Sequence, residues 1–218
     1  MLSDQFSEYI SDDWLWRERE LRDADKLLVG KKENQNIKAA ILITYSHWEG
    51  HFKICATTLL EFLCEGIKKK LFKWTDIKPE VRQRLLFCSY RQSSVSGQTH
   101  ETFISYLNAL NDSRYASAIS AKDQIVMIDD NLNFLRAEAI CRNLGVDPSW
   151  FITKKIIIDE RLLAHRNAIA HGAKRLRTGE LISTDDPLLR DALNETRFLI
   201  RATKVNFMNA ISSKAFLS

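Results

Sequence analysis

The chain has 218 residues, 45% of them hydrophobic and 28% charged, with only seven glycines and three prolines. That balance excludes a disordered, collagen-like or disulfide-stapled protein and suits a single compact, helix-rich domain with enough chain for a sizeable core. The formal net charge of +4 is small, and no apolar run approaches the roughly 20 residues of a membrane helix. The acidic, amphipathic start is not expected to serve as a secretory signal.

A first amphipathic helix is expected from the three- and four-residue recurrence of Phe6, Ile10, Trp14, Arg17, Leu21, Ala24 and Leu28, ending near Gly30. A longer helix follows from about Gln35 to Phe72. Its apolar stripe is Ile41, Tyr45, Trp48, Phe52, Cys55, Leu59, Phe62 and Ile67. Pro79 opens a short helix to about Tyr90, and Ser93 to Gln98 is a polar loop. Residues 99–122 are expected to be helical only in part. Asp129-Asp130-Asn131 has the character of a turn and N-cap, leading into a helix from Leu132 to Asn143 that stops at Gly145. After a break at Asp147-Pro148, one helix is expected from Ser149 to His171. Gly179 to Thr184 suggests a short extended piece. A last helix runs from Pro187 to about Lys214.

The charge is unevenly spread. Residues 1–30 carry eight acids and four cations, whereas Lys154 to Arg177 hold seven cations against Asp159 and Glu160. The basic groups Lys154, Lys155, Lys174, Arg175 and Arg177 flank the most informative stretch of the chain, Arg166-Asn167-Ala168-Ile169-Ala170-His171-Gly172. They are candidate contacts for a polyanion. The same distribution also fits a solvated helix face and a basic loop.

Arginine holds and neutralises phosphate, and histidine moves protons near neutral pH. Asn167 and His171 share a helix face one turn apart. Arg166 and His171 diverge by roughly 140° on a regular helix. Either the last turn unwinds, or two copies meet so that their polar ends line one cleft. Gly172 favours a helix end here. The Arg-x4–6-His spacing alone is expected about once by chance in a chain of this content. Its company makes it informative: Asn beside the Arg, small or apolar residues between, and Gly after the His.

Written as RNAIAHG, this stretch resembles the signature of the HEPN superfamily (higher eukaryotes and prokaryotes nucleotide-binding domains). Tyr45-Ser46-His47-Trp48-Glu49-Gly50 and Asp130-Asn131-Leu132-Asn133-Phe134 resemble motifs of a prokaryotic HEPN nuclease subgroup found as toxins in conflict and defence loci. That subgroup carries a Glu-x3-Lys element, matched here by Glu49 and Lys53. The resemblance spans roughly residues 5 to 210, with residues 76–122 as an insertion or irregular segment. It implies an all-α HEPN-type helical bundle with long central antiparallel helices. It also implies a metal-independent endoribonuclease needing no cofactor, acting on RNA as a homodimer with a composite active site, and open to control by an antitoxin protein. Arg166, Asn167, His171, Glu49 and Lys53 are its candidate catalytic residues. Some HEPN toxins have a tyrosine two residues after the histidine that a partner nucleotidyltransferase modifies. Ala173 stands there in this chain, so that route of neutralisation is not expected. The alternative is a non-catalytic RNA-binding, nucleotide-binding or protein-interaction module.

Other groups point to structure more than chemistry. His47 and His51 have a spacing that can bind zinc, but no third ligand is evident. Trp48 is expected in the core, with Gly50 allowing close approach of a neighbouring helix and the polar neighbours at the rim. His165 shares a face with Ile158, Leu162 and Ile169, as a buried structural histidine would. Cys55, Cys64, Cys88 and Cys141 lie in mostly apolar surroundings without Cys-x-x-Cys spacing. Reduced, buried thiols in a cytoplasmic protein are expected.

Overall fold

The computed structural model describes residues 2–27, 34–94, 104, 108, 131–173 and 187–218. Among these the protein is all-α and contains no strand, only an isolated bridge between Ile77 and Leu217. The helices are α1 (Leu2–Lys26), α2 (Asn34–Lys68), α3 (Pro79–Ser94), α4 (Phe134–Asn143), α5 (Ala164–Ala170) and α6 (Pro187–Ser213).

The central element is α2, packed between α1, α6 and α5. Phe6 meets Phe62, Asp13 meets His51 and Arg17 meets His47, so α1 runs antiparallel to α2. α6 follows α2 in the same direction, with Phe52 against Phe207. The apolar stripes expected in the sequence are the buried faces. Ile10, Arg17, Leu21 and Ala24 turn inward from α1. Ile41, Tyr45, Trp48, Phe52, Cys55 and Leu59 are all at most 2% exposed.

α2 ends at Lys68 rather than near Phe72. Lys70 takes a left-handed φ of 57°, and the Lys70 and Leu71 amides donate back to the Ile67 and Gly66 carbonyls. This closes the helix and lets the Phe72 ring fold onto Gly66, where no side chain stands in its way. Phe62, Phe72 and Phe216 then form one aromatic cluster.

Three further boundaries differ from expectation. α3 continues through Ser94, past the expected end near Tyr90 and into the stretch expected as a polar loop. α4 begins at Phe134, because Asn133 caps it by accepting from the Arg136 amide, and the side chain of Asn131 is engaged elsewhere. The stretch before the RNAIAHG motif is not one α-helix. It passes from a 3-10 turn (Ser149–Lys154) through a π-helical segment (Ile156–Leu163) into α5. The wider π turns put Ile158 and Leu162 both in the core. They also leave Asp159 placed to accept from the Phe134 amide at 2.7 Å. Asp129, Asp130 and Gly179 to Thr184 lie outside the described residues.

Candidate functional site

Residues spaced at three and four along one helix face share that face. On α2 this brings Leu42, Ser46, Glu49 and Lys53 into one row, and on α5 it brings Arg166 and Ala170 together. The two rows face each other across a cleft of about 490 Å³, completed by Ile43, Tyr45 and Gly50. The cleft therefore joins Arg166 to Glu49 and Lys53, which lie more than a hundred positions earlier in the chain.

Arg166 is held from two sides. Its guanidinium lies 5.1 Å from the centroid of the Tyr45 ring, within cation–π range. Its Nη1 donates to Asn167 Oδ1 at 2.9 Å, and the same oxygen accepts from Asn131 Nδ2 at 3.0 Å. The Asn167 carbonyl is thus committed to positioning the arginine, not to orienting the imidazole. Tyr45 is 2% exposed. Burial, and then the neighbouring Glu49 carboxylate, push its phenol well above the ordinary value, so it stays protonated. The Tyr45 hydroxyl and Glu49 Oε2 are both buried; the Glu49 carboxylate and the Leu132 backbone lie near enough to act on the phenol, but neither atom meets full hydrogen-bond geometry among the described residues.

His171 takes the C-cap of α5, with its amide donating to the Asn167 carbonyl. Gly172 follows at φ 65°. The Gly172 and Ala173 amides donate to the Ile169 and Ala168 carbonyls, a Schellman closure. The imidazole is exposed and does not line the cleft, although the adjoining Ala170 does. Of the basic residues, Lys154 is paired with Glu195 of α6 at 2.7 Å and Lys155 is exposed; neither lines the cleft. Lys174, Arg175 and Arg177 lie outside the described residues.

Behind the cleft, between α1 and α2, is a buried polar network. Asp13 Oδ2 accepts from Arg17 Nε at 2.8 Å and from His51 Nδ1 at 2.6 Å. Arg17 Nη1 lies 3.3 Å from His47 Nδ1, and His51 Nε2 lies 3.5 Å from Cys55 Sγ. One assignment of protons satisfies all four contacts: Arg17 donates to a neutral His47, His51 donates to Asp13, and the Cys55 thiol donates to His51. Burial, aided by Arg17, drives His47 down to about 4. Burial also lowers His51 against the opposing pull of Asp13. For Asp13 burial acts upward, but the hydrogen bonds from His51 and Arg17 win and hold it low. Burial raises the Cys55 thiol. The histidines expected at a rim are therefore interior groups, at 6% and 0% exposure. Gly50 allows the expected close approach, since a Cβ there would sit 2.8 Å from Arg17 Nη1. His165 is buried, as its helix face implies.

Sequence patterning missed Tyr45 and Asn131 as parts of the site. Tyr45 reads as core because it is core; only the guanidinium above it gives it a second role. The signal for both was their place in the YSHWEG and DNLNF stretches.

Comparison with known proteins agrees with this architecture. A sequence model of the family described as RiboL-PSP-HEPN matches residues 12–209. No curated protein and no solved structure matches the chain. With nearly the whole chain matched, this protein belongs to the RiboL-PSP-HEPN family of the HEPN superfamily.

Proposed function

We propose that this protein is a metal-independent endoribonuclease, acting as the toxin of a toxin–antitoxin or antiviral defence system in the cytoplasm. The observation that carries this is the cleft itself: Arg166, fixed by Tyr45 and Asn167, faces Glu49 and Lys53. A rigidly held guanidinium in a half-enclosed cleft suits the charge that grows on phosphoryl oxygens during phosphodiester cleavage. Lys53 adds a second phosphate contact. A ribose 2′-OH attacks the adjacent phosphorus, the O2′–P bond forms and the P–O5′ bond breaks. The products are a 2′,3′-cyclic phosphate and a 5′-OH. His171 is the acid that protonates the leaving oxygen. Lys155, Lys174, Arg175 and Arg177 extend the contact along the RNA backbone, and Lys154 joins them if it is released from Glu195.

The exposed position of His171 at the end of α5 favours a homodimer in which the imidazoles of two copies converge on one substrate. An antitoxin would act by covering that cleft. The same exposure of His171, outside the cleft lining, is also what a non-catalytic RNA- or nucleotide-binding module would show.

Incubation with RNA in EDTA separates these functions. Cleavage that persists in chelator, leaves cyclic-phosphate ends and vanishes in Arg166→Ala and His171→Ala supports the nuclease. RNA binding without cleavage by the wild-type protein supports the binding module. A monomeric variant with full activity removes the shared-site arrangement.

A further inference from the structure

A carboxylate in a phosphate-binding cleft is an electrostatic oddity. It repels the group that Arg166 and Lys53 attract. Glu49 is nonetheless there, with Oε2 buried, Tyr45 beside it, and no full hydrogen bond closed on that oxygen among the described residues. A buried acceptor left unsatisfied is costly, and more so when charged. Arg166 does not relieve it, since its guanidinium is committed to Asn167 and the Tyr45 ring. The cleft as built therefore suits a ligand that presents an anion to the cations and a proton donor to the carboxylate along the same lining. A ribose 2′-OH beside its own 3′-phosphodiester has that arrangement, and a deoxyribose lacks it.

We propose that Glu49 is the general base of the reaction, taking the proton of the 2′-OH, so that a second histidine is not needed for that step; this rests on the endoribonuclease function proposed above. As O2′ attacks phosphorus, its proton passes to a Glu49 oxygen. The P–O5′ bond breaks, and the leaving oxygen takes a proton from a protonated His171 side chain that the proposed dimer brings over the cleft. The enzyme is left with a protonated Glu49 and a neutral His171, which reset by proton exchange with water. Tyr45 is a positioning residue. Its buried, protonated phenol lies beside the Glu49 carboxylate and fixes where that group stands, while its ring face holds Arg166. One aromatic side chain thereby sets the spacing between base and phosphate clamp.

The test uses the full chain and two substrates: an RNA oligonucleotide, and a ribonucleoside 3′-(aryl phosphate) whose leaving group departs without protonation. On RNA, both Glu49→Gln and His171→Ala are expected to lose about a hundredfold or more in kcat, within the range for a lost acid or base. On the aryl substrate His171→Ala is expected to recover most of its activity and Glu49→Gln none. A Glu49→Gln variant of wild-type stability that keeps RNA cleavage within tenfold, or that the aryl leaving group rescues, overturns the assignment of the base. Absence of RNA cleavage by the wild-type protein overturns the endoribonuclease function itself, and the base with it.

Discussion

Replacing Gly50 by alanine sets two effects of opposite sign against each other. In an exposed helix interior, glycine to alanine stabilises by about 1 kcal/mol. At Gly50 the new methyl would stand 2.8 Å from Arg17 Nη1, 3.1 Å from Nη2 and 3.3 Å from Cζ. The guanidinium is not free to swing aside, because Asp13 holds Nε at 2.8 Å and His47 faces Nη1 at 3.3 Å. Moving it back to ordinary contact stretches both interactions. Overpacking of this kind costs about 1–3 kcal/mol, and a charge-assisted hydrogen bond about 1.5–3. The net expectation for Gly50→Ala is a loss of about 1–2 kcal/mol after the helix gain is subtracted. The same substitution in an Asp13→Asn/Arg17→Met background meets no guanidinium and should stabilise by about 0.5–1 kcal/mol. Urea unfolding followed by circular dichroism reads both, as midpoint shifts at constant slope. The coupling across the cycle is therefore about 1.5–3 kcal/mol. An identical effect of Gly50→Ala in both backgrounds, or a stabilised single variant, would show that Arg17 does not occupy the space behind Gly50.

Three further outcomes are expected. His47 has a folded value of about 4, below its ordinary value of 6.5, so unfolding takes up a proton between those limits. Its contribution is complete above pH 6.5 and lost as pH falls towards 4, at no more than about 1.4 kcal/mol per pH unit; Asp13 extends the loss to lower pH. His47→Asn, which keeps an acceptor for Arg17, should flatten that part of the stability profile, and an unchanged slope would contradict the buried neutral imidazole. Gly172 has φ 65°, and a Cβ added there would meet no atom within 4 Å among the described residues, so Gly172→Ala should cost the left-handed backbone, about 1 kcal/mol, and Gly172→Asn less; equal melting temperatures for all three would exclude the Schellman closure. Asn131→Ala removes one support of Asn167 and should lower RNA cleavage about tenfold while costing about 1 kcal/mol of stability; unchanged kcat would show that Asn131 does not help to aim Arg166.

The helices were legible wherever burial is periodic. The stripe through Ile10, Arg17, Leu21 and Ala24 even marks an arginine as inward-facing, and that arginine is buried. Gly172 was legible as a helix end because its backbone conformation is one that glycine favours. Periodicity names a face but not its partner, so His47 and His51 could be placed on α2 and not against Asp13 and Arg17. The link from Asn131 to Asn167 spans 36 positions and leaves no local pattern. Lys70 closes α2 in a conformation usually left to glycine, so the helix overran its end in the sequence. The π segment was hidden because Ile158 and Leu162, four apart, look like an ordinary α-helical pair.

That segment has a consequence for how the guanidinium is aimed. A π turn holds more residues than an α turn, so Ile156–Leu163 acts as a gear with a spare tooth just upstream of the motif. Deleting one residue there would let the backbone relax to α pitch, and because each π residue turns less than an α residue, the loss is largely absorbed and the residues downstream keep roughly their facing. A deletion between Leu163 and Arg166, where the pitch is already α, has no such reserve and would rotate Arg166 by roughly 100° off the Tyr45 ring. The spare residue thus lets descendants of this chain lose one position upstream of the motif and still keep Arg166 in the cleft.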